Sequence, residues 1–430
     1  MGTSIELCIG KVSLSYAKNN MGIDFGNLFQ ASDWRPRGSA SADEASSSGH
    51  SAEPLDENEL YERFERPLHS LLPRLELLGH TLEEAKAEYE DLVSEAQEMG
   101  TIVRTDEEPK EYLTFDEFCQ AACALPIHAL NDDYVDFDEQ DRNLIAQGRL
   151  AEFAETFDRI PGSEGSDMYW SESSFFSERV CILSAEAMLQ VLAQNKGNAQ
   201  VNVTWEFGPI VDAGWVERDA FSPGARRGRR ILLATEGASD ARIISIALNT
   251  LRPEVADFFH FVDVDQKHHF WGTGNLVRFA EGLLRIEILN RVLFVLDNDA
   301  EGIEALRKLG ELGMPSNMRA MQLPELLEFE SFDAYGPEGM RKCNINGRAA
   351  AIECYLDLRL EQYPPPNVTW RHYKQELNAW HGALDHKESY AKHFFKQAKR
   401  GFETSDYDLS KLSILIDSVV REAGVLLRDL

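Results

Sequence analysis

Positive charge is what this chain is short of. Across 430 residues, 43 Lys and Arg face 73 Asp and Glu, a formal net charge of −30. Phosphate contacts need Lys and Arg, so the deficit excludes nonspecific capture of nucleic acid by the surface as a whole. Cysteine is sparse too, with six residues of which only Cys119 and Cys123 lie close in sequence. Their spacing suits one helix face, and no His-rich segment accompanies them, which points to buried free thiols rather than a zinc knuckle. No apolar run is long enough to span a bilayer. The start, Met1 to Glu6, lacks the basic and apolar regions of a secretory signal, and lacks the Ser or Thr that myristoylation wants at position 6. The chain is therefore read as cytoplasmic, without a membrane partner. A Walker motif is also missing, so nucleotide-driven control would have to come from another protein.

What is present is enough apolar residue, 43% of the chain, to fill two or three globular cores. Residues 1–35 alternate polar and apolar positions and read as a β-hairpin turning at Gly10-Lys11. Residues 36–55 are Ser, Ala, Gly, Glu and Asp with little to bury, and read as a disordered linker. Residues 56–225 read as a mainly helical domain. Tyr61, Phe64, Leu68, Leu71, Leu72 and Leu75 recur at helix spacing, and Thr81-Leu82-Glu83-Glu84 is a capping-box pattern. Within that domain, Val201–Trp205 reads as a strand.

From residue 226 to 355 the rhythm changes. Strands are expected at 231–235, 258–264, 291–296 and 318–323, with helices at 239–251, 275–289 and 301–312. Such alternation predicts an α/β fold, a doubly wound parallel sheet with helices on both faces and its site beyond the carboxyl ends of the strands. Residues 356–430 read as a helical C-terminal region. Its four histidines His372, His381, His386 and His393 form no regular ligand set and read as solvated or hydrogen-bonded.

Acids gather at the expected strand ends: Glu236, Asp263 or Asp265, Asp297 and Asp299. Mg²⁺ and Mn²⁺ prefer oxygen and are held by a few carboxylates plus water and phosphate. Two such ions can activate a water and stabilise a leaving oxygen. The plain alternative is that the acids cap the helices that follow them. Gly272-Thr273-Gly274 opens a helix and lets backbone N–H groups approach a phosphate, or is a simple turn. Arg226, Arg227, Arg229 and Arg230 form either a nucleic-acid patch or a solvated loop.

Thr235-Glu236-Gly237-Ala238-Ser239-Asp240, followed by Leu296-Asp297-Asn298-Asp299-Ala300-Glu301-Gly302, resembles a Toprim domain, the catalytic fold of topoisomerases, bacterial primases and several nucleases. The resemblance covers about residues 228–355. It implies that Glu236, Asp297 and Asp299 bind Mg²⁺ or Mn²⁺, with Gly237, Asp240 and Asp263 in support. Gly347–Glu353 resembles the late segment of Toprim nucleases. There Arg348 would stabilise charge on phosphate and Glu353 would ligate metal from a helix, or the two are a helical surface pair. No Tyr suits a covalent topoisomerase, and no primase zinc module exists. The whole chain resembles bacterial HEPN/Toprim-associated proteins, through Leu71–His80 and Trp380–Glu388. That implies a metal-dependent nuclease of DNA or RNA, tRNA included, in anti-phage defence, with a partner protein or a homo-oligomer as further expectations. Two alternatives stand: a non-catalytic Toprim scaffold, and a HEPN-type ribonuclease using Arg74 and His80. Gly79-His80-Thr81 breaks the helix, however, and takes His80 off the face of Arg74.

Overall fold

The computed structural model describes residues 2–38, 61–103, 110–135, 148–162, 169–261, 272–375, 379–402 and 406–428. From residue 39 on, the expected linker lies outside them. The chain forms two compact units, Met1–Gly224 and Ala225–Leu430.

In the first unit, β1 (Ser4–Ile9) and β2 (Val12–Lys18) form the hairpin, with Gly10 in the left-handed region at φ 56°. The hairpin is not a separate segment. With β3 (Trp34–Arg35), β4 (Arg63–Pro67) and β5 (Asn202–Glu206) it makes a five-stranded antiparallel sheet ordered β2-β1-β5-β4-β3. The expected mainly helical domain thus carries a sheet at its centre. The helical reading of 61–67 failed for a specific reason: Arg63, Glu65 and Arg66 resemble the wet face of a helix but are buried in β4. Arg63 pairs with Glu65 at 3.1 Å, Arg66 pairs with Asp33 at 3.2 Å, and Asn202 donates to Glu65 at 3.0 Å. Such pairing is what lets charge leave water. The sheet packs an aromatic cluster in which Trp205 meets Phe25, Phe29, Phe64, Phe207 and Phe221. Around it lie α1 (Leu68–Leu77), α2 (Leu82–Val103), α3 (Phe115–Ala122), α4 (Glu172–Val180) and α5 (Ala185–Leu192). Thr81 Oγ1 accepts from the N–H of Glu84 at the start of α2.

The second unit opens with β6 (Ile231–Thr235), α6 (Ala238–Leu251), β7 (Phe259–Phe261), α7 (Thr273–Arg285), β8 (Arg291–Leu296), β9 (Asn298–Asp299), α8 (Ala300–Glu311) and β10 (Met318–Gln322). Strands β10-β8-β6-β7 form a parallel sheet in that order. Beyond it come β11 (Phe332–Gly336), β12 (Gly339–Cys343), β13 (Ala349–Ala350), β14 (Val368–Lys374), β15 (Ala379–Leu384), α9 (Lys387–Arg400) and α10 (Ser410–Arg428). Alternation decides the two faces of the parallel sheet. Ala234, Val292, Phe294 and Leu296 pack with α7 and α8. On the opposite face, Arg291 donates to the carbonyl of Leu426 at 3.0 Å and Arg319 pairs with Glu422 at 2.8 Å, which seats α10 there beside α6.

Two expectations for the C-terminal part are corrected. Strands β12-β11-β14-β15 form a second four-stranded sheet, so residues 356–430 are not helical throughout. The aromatic and β-branched residues of Val368–Tyr373 carry β-propensity that the polar residues among them concealed. Residues 347–353 are also not a helix. Gly347 turns at φ 67°, Ala349-Ala350 pairs with Asn298-Asp299, and Glu353 sits in a single 3₁₀ turn. Alanine favours helix, but here its small side chains are wanted in a buried strand pair.

Arg74 is fully buried in α1, where Nε donates to the carbonyl of Asn27 at 2.8 Å and an Nη donates to that of Phe29 at 3.3 Å. His80 lies in the turn after α1, and its carbonyl accepts from Gln190 at 2.6 Å. A guanidinium with no exposed surface cannot meet a substrate, so the HEPN-type alternative loses its arginine. Arg74→Ala should cost roughly 2–4 kcal/mol, because it strips two buried carbonyls of a charged donor. Urea denaturation followed through tryptophan fluorescence would measure it. A loss under about 0.5 kcal/mol would contradict the structural role assigned to Arg74.

Candidate metal centre

Adjacent parallel strands create the site. Thr235 on β6 is in register with Val295 on β8, so Glu236 and Asp297 leave the sheet side by side. The N–H of Asp297 donates to Glu236 Oε1 at 3.0 Å. The other oxygens of the site are aimed in the same way. Asp297 Oδ1 accepts from the N–H of Ile352 at 2.9 Å. Asp299 Oδ1 accepts from the N–H groups of Glu301 and Gly302, at 2.9 and 2.8 Å, and so caps α8. Capping and site membership are therefore not alternatives for Asp299. Each of these three carboxylates is pinned through one oxygen. The second oxygen makes no hydrogen bond among the described residues and is not sealed from solvent.

Asn298 points the other way, as strand alternation requires. Fully buried, it donates to Asn346 Oδ1 at 3.0 Å and accepts from the N–H of Gly347 at 2.7 Å. That anchors the segment bearing Arg348 and Glu353. Gly302 is required for a steric reason: a Cβ there would lie 2.1 Å from the carbonyl oxygen of Asp297.

Burial and like charge act together on the acids. Glu236 is pushed up to about 8, first by burial, then by Asp299, Asp240 and Glu301. Asp240, in the first turn of α6, is pushed up to about 7 by burial and by Glu353, against the pull of Lys387. Asp297 is raised well above the usual range by burial and by Asp240, Glu236, Asp299 and Glu353. Burial also raises Asp299, opposed by its N–H bonds and by His381. Five carboxylates therefore share one place, and Lys387, 3.8 Å from Glu353, is the cation paired there. An all-oxygen donor set with open second oxygens fits a hard divalent cation.

The remaining expected residues are placed less uniformly. Gly272 caps α7 at φ 83°, and its N–H donates to the carbonyl of Glu236 at 3.1 Å. The N-terminal turn of α7, with Thr273 and Gly274, is thereby fixed beside the acids. The Arg348 backbone bridges to Asp299, and its side chain is exposed. Gly237 precedes α6, with Asp240 Oδ2 3.4 Å from where a Cβ would stand. Asp263 lies outside the described residues. Arg226, Arg227, Arg229 and Arg230 are not brought into the cluster. Their turn precedes β6, at the opposite end of a five-residue strand, roughly 16 Å from its tip.

Three contributors escaped sequence reasoning. Lys387 and His381 come from the far C-terminal part, with no spacing signal to link them to the acids. Asn298 was visible within Asp297-Asn298-Asp299, but its role depends on a loop nearly fifty residues away. His381 is drawn below its ordinary value by burial, while Asp299 and Glu301 act in the opposite direction.

The fold and site define the class: a two-unit α/β protein whose parallel sheet gathers a buried carboxylate cluster at its strand ends. Residues 1–229 match the family described as HEPN/Toprim N-terminal domain 1, and the chain belongs to that family. No curated protein and no solved structure matches it. Among the described residues, no helix is long and apolar enough to cross a membrane.

Because the folded-state values of Glu236 and Asp240 lie above their unfolded ones near 4, the cluster stabilises the metal-free protein fully only below about pH 4. That contribution is lost as pH rises through 7 to 8. Asp240→Asn removes one of the repelling charges. With chelator present at about pH 8.5, it should raise Tm by roughly 2–4 °C, and leave Tm unchanged near pH 4.5. Differential scanning fluorimetry at both pH values checks this. A Tm that falls at the higher pH would mean the cluster is not repulsive.

Proposed function

We propose that the second unit is a Toprim-type, metal-dependent nuclease that hydrolyses phosphodiester bonds of DNA or RNA, acting in prokaryotic anti-phage defence. The observation that carries this reading is the convergence of Glu236, Asp297 and Asp299, each held through one oxygen with the other left open. Family membership through the first unit supports the defence context.

In this reading Glu236, Asp297 and Asp299 hold Mg²⁺ or Mn²⁺, and Glu353 adds a further carboxylate. The bound metal would lower the pKa of an attacking water and stabilise the leaving oxygen. The chain supplies the rest. The backbone bonds that fix one oxygen of each acid remove the need to reorganise at the moment of reaction. Arg348, whose backbone bridges to Asp299 and whose side chain is exposed, would offset charge developing on phosphate. The first turn of α7, tied to Glu236 through the N–H of Gly272, would favour an anion beside the acids. Asp240 adds its charge to the burial that raises Glu236 and Asp297.

A second reading, a Toprim scaffold that binds metal or nucleotide without cleaving, is favoured by the net charge of −30 and by the distance of the arginine turn from the acids. The two differ in one experiment. The purified chain is incubated with plasmid, single-stranded DNA and total tRNA, with Mg²⁺, Mn²⁺ or chelator. Cleavage should require metal, and Asp297→Asn with Asp299→Asn should reduce it by at least roughly a hundredfold while the protein melts as a folded species. Asparagine is chosen because it still caps α8. A double variant that cuts as well as wild type would refute the nuclease assignment. Metal-induced stabilisation of wild type without cleavage of any substrate would favour the scaffold.

A further inference from the structure

Beyond the carboxylates, one group of side chains has the makings of a ligand set of different chemistry. His372 and His381 are cross-strand partners on β14 and β15, after the irregularity that follows Trp370. Partners in register project to the same side of the sheet. Their rings lie 4.8 Å apart between centroids, tilted by 36°. The face they share looks toward α8, whose first turn carries Glu301, and His381 Nε2 stands 3.9 Å from Glu301 Oε1. One donor atom from each of Glu301, His372 and His381 can be chosen so that all three lie within 4.8 Å of one another.

An ordinary His–Glu ion pair does not account for this arrangement. At 3.9 Å the contact is too long for a hydrogen bond. The His381 side chain is only 12% exposed, its Nδ1 is buried, and neither ring nitrogen has a hydrogen-bond partner among the described residues. A buried imidazole without a partner is costly, and side chains of this kind normally find one. The nearby cation does not take that place, because Lys374 is engaged by Glu304 at 3.2 Å.

We propose that Glu301, His372 and His381 form a binding site for a divalent transition-metal ion of the zinc class, adjoining the carboxylate cluster. Two imidazoles and one carboxylate suit Zn²⁺ or Co²⁺ and are poor ligands for Mg²⁺. A tetrahedral ion holds its donors roughly 3.3 Å apart, so modest side-chain rotation closes the set. Asp299, the cap of the same helix, stands close enough for its charge to act on His381. The proposal uses side chains that the cleavage reading does not, and it stands if that reading fails.

The full chain is freed of metal and titrated with Co²⁺ while its visible absorption is followed, and Zn²⁺ is then added as competitor. Nitrogen ligation at low coordination number gives intense bands, whereas an all-oxygen octahedral site gives weak ones. Wild type should develop the intense bands and lose them to Zn²⁺. His372→Ala and His381→Asn should each weaken Co²⁺ binding roughly tenfold or more. His372 is exposed, so its variant tests the site without endangering the fold. Asp297→Asn should keep the bands whether or not it abolishes cleavage. Weak bands in wild type, bands that survive His372→Ala, or bands lost only in Asp297→Asn would each overturn the proposal.

Discussion

The N–H of Asp297 donates to the carboxylate of Glu236, and that bond exists only because β6 and β8 lie side by side in parallel register. Two chain segments sixty residues apart thereby deliver acids to one point. The same strand alternation divides the work within Asp297-Asn298-Asp299. The outer two residues face the cluster. Asn298 faces inward and ties down the segment from Asn346 to Tyr355. Gly302 completes the arrangement by letting α8 begin directly against the Asp297 carbonyl. A change in the β6–β8 pairing would disperse the acids, free the loop and misplace the helix cap together.

Crowding the acids has an energetic consequence. Burial first, and then their mutual repulsion, raises Glu236, Asp240, Asp297 and Asp299 above the usual carboxylate range, and Lys387, paired with Glu353, is one cation beside five carboxylates. In the proposed reading a bound cation would offset that crowding, a physical reason for metal affinity independent of any family likeness. The net charge of the chain and the remote arginine turn work against substrate capture at the same place. In the proposed reading, attraction for phosphate would come from the site itself: Arg348, the first turn of α7 and the cation the acids would hold.

The first unit solves a different problem. Its strand β4, paired with β5 on one side and β3 on the other, carries Arg63, Glu65 and Arg66 into the interior, each with a polar partner, while Trp205 and its ring neighbours supply the apolar burial. Arg74 belongs to that interior, clamping the carbonyls of the 27–29 segment. Residues that look like surface charge or catalytic machinery in the sequence are structural here: Arg63, Glu65 and Arg66 are held by side-chain partners and Arg74 by backbone carbonyls.

The parallel sheet and its helices were legible from periodicity alone, because strands buried on both faces leave unbroken apolar runs such as Val292–Leu296. Glu236, Asp297 and Asp299 were legible for the same reason: a run that ends in an acid announces where the strand ends. What the sequence could not disclose depends on contacts between distant segments. Ala349-Ala350 became a strand because Asn298-Asp299 offered an edge to pair with, overriding helix propensity. Phe64 belongs to a strand because β5 lay beside it. His372, His381 and Lys387 reached the acids only through the second sheet and α9. Local pattern sets which residues are buried and where a strand stops. Which strand ends, loops and distant cations share one small volume is settled by tertiary packing, since only pairing and register bring them within bonding distance.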